Sequence, residues 1–276
     1  MIDGWTASFR ESPLGSKAST EDAGPLALQA AWRRVLRART TGRFVGSKAW
    51  QSLYGPLVAC PDARLVIGQI GQSLDGRIAT STGQSHYING HEAIVHLHRL
   101  RALVDAVVVG VGTAVADDPA LTVRQVEGTS PCRVVIDPAG RTPFESKVFA
   151  ADGCRRLVVT RVGTCTRLPD GVESVPILPD ASGALAPDRI LEALVARGLH
   201  RILIEGGAAT LSRFLDARCL DRLHIAVAPL IIGAGPLGLT LAPIDSLDAA
   251  LRGPARCHPL GEDMLWDVSL GAVRQD

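Results

Sequence analysis

The chain has 276 residues, 46% of them hydrophobic and 21% charged, and 29 Lys and Arg against 28 Asp and Glu leave a formal net charge of +1. That length can bury one sizeable core carrying an appendage. A charge so near zero excludes an overall pull toward nucleic acid or an anionic membrane, so any anion binding must be local.

Residues 1–25, rich in Ser, Gly, Pro and charge, read as a mobile tail. They contain no apolar run of the kind a secretory signal needs. No stretch reaches the roughly 18 uninterrupted apolar residues of a membrane span, and a soluble, cytoplasmic protein is expected. Six cysteines without a CxxC or regular spacing offer neither a disulfide framework nor a zinc ribbon. Residues 26–62 form a basic extension with no acidic residue before Asp62. Its first part has helical composition, with Leu28, Ala31, Trp32, Val35 and Leu36 near i, i+3, i+4, i+7 spacing and Arg33, Arg34 and Arg37 on the other face. The extension reads either as a packed accessory helix with a solvated face, the preferred reading, or as an electrostatic docking arm.

From residue 63 to 276 short β-branched runs alternate with helical stretches. Strands are expected near 65–70, 106–109, 133–136, 156–159, 201–204, 223–227 and 265–269, and helices near 91–103, 188–196 and 208–218. Runs such as AVVVG, RVVID and RILIE are continuously apolar, which suits strands covered on both faces. Interleaved strands and helices imply an α/β fold with a mainly parallel central sheet flanked by helices. The last strand is expected to pair antiparallel at one edge.

Ligands in open α/β sheets collect at the carboxyl ends of the strands. There, RILIE ends in Glu205 and runs through Gly206 and Gly207 into a helix start at Ala208, Ala209 and Thr210. Paired glycines admit close backbone approach, and a helix start presents free N–H groups to a phosphate. An ordinary strand-to-helix turn would use the same glycines. Glu205, beside an apolar strand end, needs an arginine, a donor-rich ligand or a raised pKa. A second strand runs into Gly110, Gly112 and Thr113, followed by Asp117, Asp118 and Pro119. Pro119 bars Asp118 from the right-handed helical region and fixes a turn, in which Asp118 reads as a solvated acid. Arg124, just beyond, suits either a phosphate clamp or a surface ion pair. In SLDGRIA, Asp75-Gly76 is a turn signal. Ser85 and Tyr87 beyond it are a small donor and a stacking ring of the kind that positions a heterocycle. His91, His96 and His98 are wrongly spaced for HExxH, and no GxSxG, Walker loop or metal-spaced cluster is present, so no metal site is expected.

Taken in order, SLDGRIA (73–79), GQSHYI (83–88), HRLRALVDAVVVGVGT (98–113), ADDPALTVR (116–124), RVVID (133–137), LIEGGA (203–208) and LDRLHIAVAPLIIG (220–233) resemble the reductase domain of riboflavin biosynthesis. This is the C-terminal half of the bifunctional deaminase-reductase and has a dihydrofolate-reductase-like fold. The resemblance implies NADPH held by Gln72, Tyr87, Thr113, Asp117, Pro138 and the turn and helix start Gly206, Gly207, Ala208, Ala209, Thr210 and Leu211, continuing to Arg213. It implies a phosphorylated aminopyrimidine held by Ser85, Arg101, Leu121, Arg124 and Glu205, with hydride transfer to its ribose C1′. It names no general acid, and it suggests a homodimer. The HxE and PCxxC elements of the deaminase are absent, so no deamination is expected. Gln69 stands where the family often has lysine, and Tyr87 where it often has tryptophan. Because relatives of this fold also reduce dihydropterins, a pterin reductase stands as the alternative, and a non-catalytic nucleotide-binding dimer as a third reading. Nucleic-acid binding is not expected.

Overall fold

The computed structural model describes residues 24–59, 63–86, 88–165 and 167–271. Most of the expected tail and Tyr87 lie outside the described residues. The extension folds as α1 (Pro25–Thr41) and α2 (Lys48–Val58). Then follow β1 (Leu65–Ser73), α3 (His91–Leu103), β2 (Ala106–Gly110), α4 (Val111–Asp117), β3 (Cys132–Ile136), β4 (Arg156–Arg161), β5 (Val172–Ile177), α5 (Pro187–Val195), β6 (Arg201–Glu205), α6 (Ala208–Asp216), β7 (Arg222–Ala228), β8 (Ala255–Leu260) and β9 (Asp263–Ser269). The strands make one nine-stranded sheet in the order β5-β4-β3-β2-β6-β1-β7-β9-β8. Every pairing is parallel except those of β9, which runs against both β7 and β8. No described helix is long and apolar enough to cross a membrane.

The unbroken apolar runs are explained by burial on both faces, since successive residues of a strand point to opposite sides. Val107 and Val109 of β2, Val135 of β3 and Leu203 of β6 join a cluster with Trp32, Val35, Leu57 and Leu100. Their neighbours Ala106, Val108, Val134, Ile202 and Ile204 join a second cluster with Ile190, Leu194, Leu211 and Phe214. One face is thus covered by α1, α2 and α3, the other by α5 and α6.

Four elements escape the sequence pattern. β5 and β8 are the sheet's two edges, and each carries a proline, Pro176 and Pro259. Proline is tolerated where no neighbouring strand needs its N–H. Half-exposed edge strands also lose the continuous apolar signature. The stretch from Gly110 to Thr113, expected only as a strand end, is the start of α4, which Gly110 precedes. Asp118 ends that helix in the left-handed region, at φ 41° and ψ 57°, as a residue barred from the right-handed region by the following proline can do. The extension departs as well, because a second helix, α2, forms around Pro56. The ring removes the N–H that would reach the Ser52 carbonyl, and Arg256 donates to that oxygen instead, at 3.4 Å.

The preferred reading of the extension is one packed accessory helix; the structure packs two, with Trp32, Val35, Ala38, Leu57 and Val58 all buried. A buried polar row also ties α2 to the sheet. Tyr54 Oη lies 3.1 Å from His96 Nδ1, and His96 Nε2 lies 3.1 Å from His224 Nδ1. His224 Nε2 lies 3.1 Å from Asp267 Oδ1, and Asp267 also receives Arg222 at 3.1 and 2.5 Å. An ionised carboxylate can only accept, so the row ends on an acceptor at Asp267.

Burial, reinforced by His224 and Arg99, holds the His96 pKa well below 6.5. Burial and the charges of Arg101 and Arg124 push His98 down to about 4. Burial alone would raise Asp267, but His224 and Arg222 hold it at about 2. Because the unfolded chain takes up protons first at each of these groups, stability falls with pH. The loss should begin below 6.5 through His96 and His98, running to about 4 for His98, and from 3.8 toward about 2 through Asp267. Thermal unfolding scans between pH 7 and about 4.5 should show a steadily falling Tm, with a shallower fall in His98→Asn. A flat profile over that range would refute the neutral, buried state of these histidines.

Candidate functional site

At the carboxyl ends of the central strands the chain turns sharply, and glycine makes the turns possible. Gly206 and Gly207 both have positive φ, 57° and 56°. A Cβ on Gly207 would stand 2.6 Å from Thr113 Oγ1, and one on Gly206 would stand 3.3 Å from Thr113 Cγ2. On the neighbouring strand a Cβ at Gly110 would collide with Thr210 Oγ1. The glycine turns of β2 and β6, with Thr113 and Thr210, therefore form one close-packed cradle. Gly207 caps α6 without any side-chain hydrogen bond. The first bonds back to its carbonyl come from Thr210 and Leu211, at 3.0 and 3.2 Å. The N–H groups of Ala208 and Ala209 precede these and are the orphan donors of a helix start. They border a cavity of about 560 Å³ lined also by Ser212, Arg213, Pro236, Leu237 and Thr240.

Beside this cradle, Glu205 finds its arginine. Arg101 of α3 donates from Nε to Oε1 at 2.7 Å and from Nη2 to Oε2 at 2.6 Å, with side chains only 7% and 6% exposed. Its Nη1 donates to the Thr122 carbonyl at 3.1 Å. Burial works against the guanidinium charge, but the charge and hydrogen bonds of Glu205 hold its pKa raised. One turn earlier on α3, neutral His98 accepts the backbone N–H of Arg124 at 3.2 Å. Sequence reasoning missed His98, although its i, i+3 spacing from Arg101 puts both on one helix face. The two arginines are not an equivalent pair: Arg101 is buried in an ion pair, whereas Arg124 is exposed.

The other sequence-derived positions fall as follows. Leu121 and Leu211 are buried in the core, at 1% and 0% exposure, which leaves only their backbone for a ligand. Leu121 has φ 54°, a strained value for a leucine. Half-buried Gln72 packs against the loop after β7, where a Cβ on Gly238 would lie 2.6 Å from its Oε1. Ser85 is half-buried just past the turn closed by Thr80 and Gln84. Asp117 is exposed at the end of α4. The Pro138 carbonyl already accepts from Arg161 N and Thr164 Oγ1, at 3.3 and 3.0 Å. Asp118 is not purely solvated, because it accepts from the Lys147 backbone N–H at 2.7 Å and pairs with Lys147 Nζ at 3.2 Å. Asp75 does more than shape a turn. It accepts from Ser73 Oγ at 2.6 Å and from the N–H groups of Ile232 and Gly233 at 3.1 and 2.7 Å, and these bonds hold its pKa at about 2. It thereby pins the loop after β7, whose later residues line the cavity, to the end of β1.

The RibD C-terminal domain family model matches residues 64–264. The 2,5-diamino-6-ribosylamino-4(3H)-pyrimidinone 5′-phosphate reductase of Methanothermobacter thermautotrophicus is 33% identical over 212 residues, covering 74% of this chain and 97% of that protein. The riboflavin biosynthesis protein RibD of Aquifex aeolicus is 33% identical over 198 residues, covering 70% of this chain but 54% of that protein. The chain thus spans nearly the whole archaeal reductase and about half of the RibD protein. Among solved structures, the deaminase/5-amino-6-(5-phosphoribosylamino)uracil reductase of Thermotoga maritima superposes with a TM-score of 0.64 at 26% identity, covering 79% of this chain and 59% of that one. A Saccharomyces riboflavin biosynthesis reductase superposes at 0.62 with 18% identity, a likeness of fold, over 88% of this chain and 98% of that one. The fold and these relatives together define an α/β oxidoreductase of the dihydrofolate-reductase-like class. Within that class, the chain belongs to the RibD C-terminal domain family.

Breaking a buried ion pair strands one charge, at a cost of about 3–5 kcal/mol, whereas replacing both partners with apolar groups is often close to neutral. Arg101→Met and Glu205→Leu should each lower stability by about that amount in denaturant unfolding, and the double variant should recover most of the loss. Additive losses would show that the pair is not coupled as its geometry indicates.

Proposed function

We propose that the chain is an NADPH-dependent reductase acting at the ribose C1′ of 5-amino-6-(5-phosphoribosylamino)uracil and giving the ribityl product. The single observation that carries this reading is the convergence of two anion-receptive features. One is the uncapped start of α6 behind Gly206 and Gly207, packed on Thr113; the other is exposed Arg124, whose backbone N–H is held by His98, one turn from Arg101 on α3.

The crevice fits a dinucleotide. A glycine cradle that a single Cβ would fill admits a pyrophosphate, and the Ala208 and Ala209 N–H groups would donate to it. Arg213 lies on α6 at the cavity wall, where a cation complements a 2′-phosphate. Gln72 borders the same loop. NADPH would supply the hydride, and the chain contributes orientation and electrostatics. Arg124 would take the substrate phosphate, for which a planar guanidinium offers paired donors. Glu205, oriented by its two bonds from Arg101, offers acceptor oxygens to the sugar or base, while Ser85 stands as a further donor. Conversion to the ribityl form adds one hydride and one proton, and no side chain is assigned as the proton donor. The 2,5-diaminopyrimidinone form named for the archaeal relative differs only on the base and suits the same contacts. The exposed apolar groups Ile231, Met264 and Trp266 near the β8–β9 edge support a homodimer, and the fold suits a cytoplasmic enzyme.

Two measurements test the reading. NADPH oxidation should be rapid with either aminopyrimidine phosphate and absent with dihydropterins, and Arg124→Ala should raise KM for the phosphate by at least about tenfold, the value of a charge-assisted hydrogen bond. Turnover with dihydropterins alone would transfer the assignment to pterin reduction, and tight NADPH binding without any turnover would favour a silent binding protein. In Gly207→Val the left-handed backbone alone should cost about 1–2 kcal/mol of stability. NADPH affinity, followed by fluorescence titration, should fall as the side chain fills the cradle. Unchanged affinity would remove the pyrophosphate from this turn.

A further inference from the structure

The segment between α4 and β3 that carries Arg124 has no helix or strand of its own. Its start is held by Lys147 on Asp118, and Thr122 and Arg124 are held by Arg101 and His98 of α3. Beyond Arg124 the holding groups come from a different source, the N-terminal helix α1. Trp32, 3% exposed, donates its indole N–H to the Glu127 carbonyl at 2.7 Å. Arg33 grips the Glu127 carboxylate through Nε at 2.8 Å and Nη2 at 2.6 Å, and Gln29 adds a third bond at 2.8 Å. The next residue, Gly128, has φ 147°. A Cβ there would lie 2.6 Å from the Ala102 side chain of α3 and 3.8 Å from Leu36 Cδ2 of α1. The loop tip is thus seated between the two helices.

We infer that α1 is a clasp whose positioning residues, Trp32 and Arg33, set the Arg124 loop in its anion-binding conformation from outside the 64–264 family region; the inference rests on the substrate reading above. Exposed ion pairs add little to stability, and one of the few acids that α1 meets is the one placed three residues from Arg124. Holding a loop from both sides reduces the conformational freedom lost when it captures an anion, and so improves affinity without touching the reacting atoms.

The test combines Trp32→Phe, which keeps an aromatic ring but removes the pyrrole portion with its N–H, with Glu127→Gln, which keeps the shape and loses the charge. Arg34→Ala, on the exposed face of the same helix, is the control. Amide hydrogen exchange over residues 122–130 should quicken by about fivefold for each hydrogen bond removed and stay unchanged in the control. KM for the aminopyrimidine phosphate should rise by about the same factor with kcat unchanged, and the effect should vanish in an Arg124→Ala background. With the dephosphorylated substrate, variant and parent should have equal kcat/KM. Unchanged exchange would overturn the clasp. Faster exchange with unchanged KM, or equal losses on phosphorylated and dephosphorylated substrates, would overturn its role in anion positioning. Failure of the parent protein to reduce any aminopyrimidine phosphate would instead sink the substrate reading, and the exchange data would still decide whether the clasp exists.

Discussion

The crevice is organised by one buried ion pair. Arg101 and Glu205 join the C-terminal half of α3 to the end of β6, and the same guanidinium reaches the backbone that leads to Arg124. A carboxylate that closes an apolar strand must be compensated, and here an arginine from the helix packed on the opposite element does so. Glycine turns can then follow at once, because the strand end is already fixed. The cradle beside Thr113 and the exposed cation at Arg124 are two sides of a frame that the pair holds square.

Much of this frame was legible in the sequence for physical reasons. Strands covered on both faces lose the polar alternation that surface strands show, so AVVVG, RVVID and RILIE announced the centre of the sheet. Glu205 followed by two glycines announced a turn with a carboxylate in need of a partner. The partner itself was not legible as such, since Arg101 lies on a helix whose apolar periodicity is weak, and the resemblance assigned it to a phosphate. β5 and β8 were invisible because edge strands tolerate proline and polar residues. α4 was invisible because a seven-residue helix opening on Gly-Val-Gly has the composition of a loop.

The row from Tyr54 to Asp267 illustrates a further limit. Its residues lie on α2, α3, β7 and β9, and nothing in their spacing along the chain hints that they meet. Once they do, burial sets the chemistry of the row and holds the His96 pKa well below 6.5. The same limit applies to the extension: its basic face could be read from composition, but the use of Arg33 against Glu127 depends on a tertiary meeting across 94 residues.

The buried side chains of α1 and α2 have a consequence for where the folding unit ends. The family region opens at residue 64, yet Trp32, Val35, Leu57 and Val58 share one hydrophobic cluster with Val107, Val135 and Leu203 of the central strands. A fragment cut at the family border would leave that layer of the sheet facing water, a large greasy surface prone to self-association. In this chain the unit that evolution repeats and the unit that water enforces have different boundaries, and the second is longer by two helices.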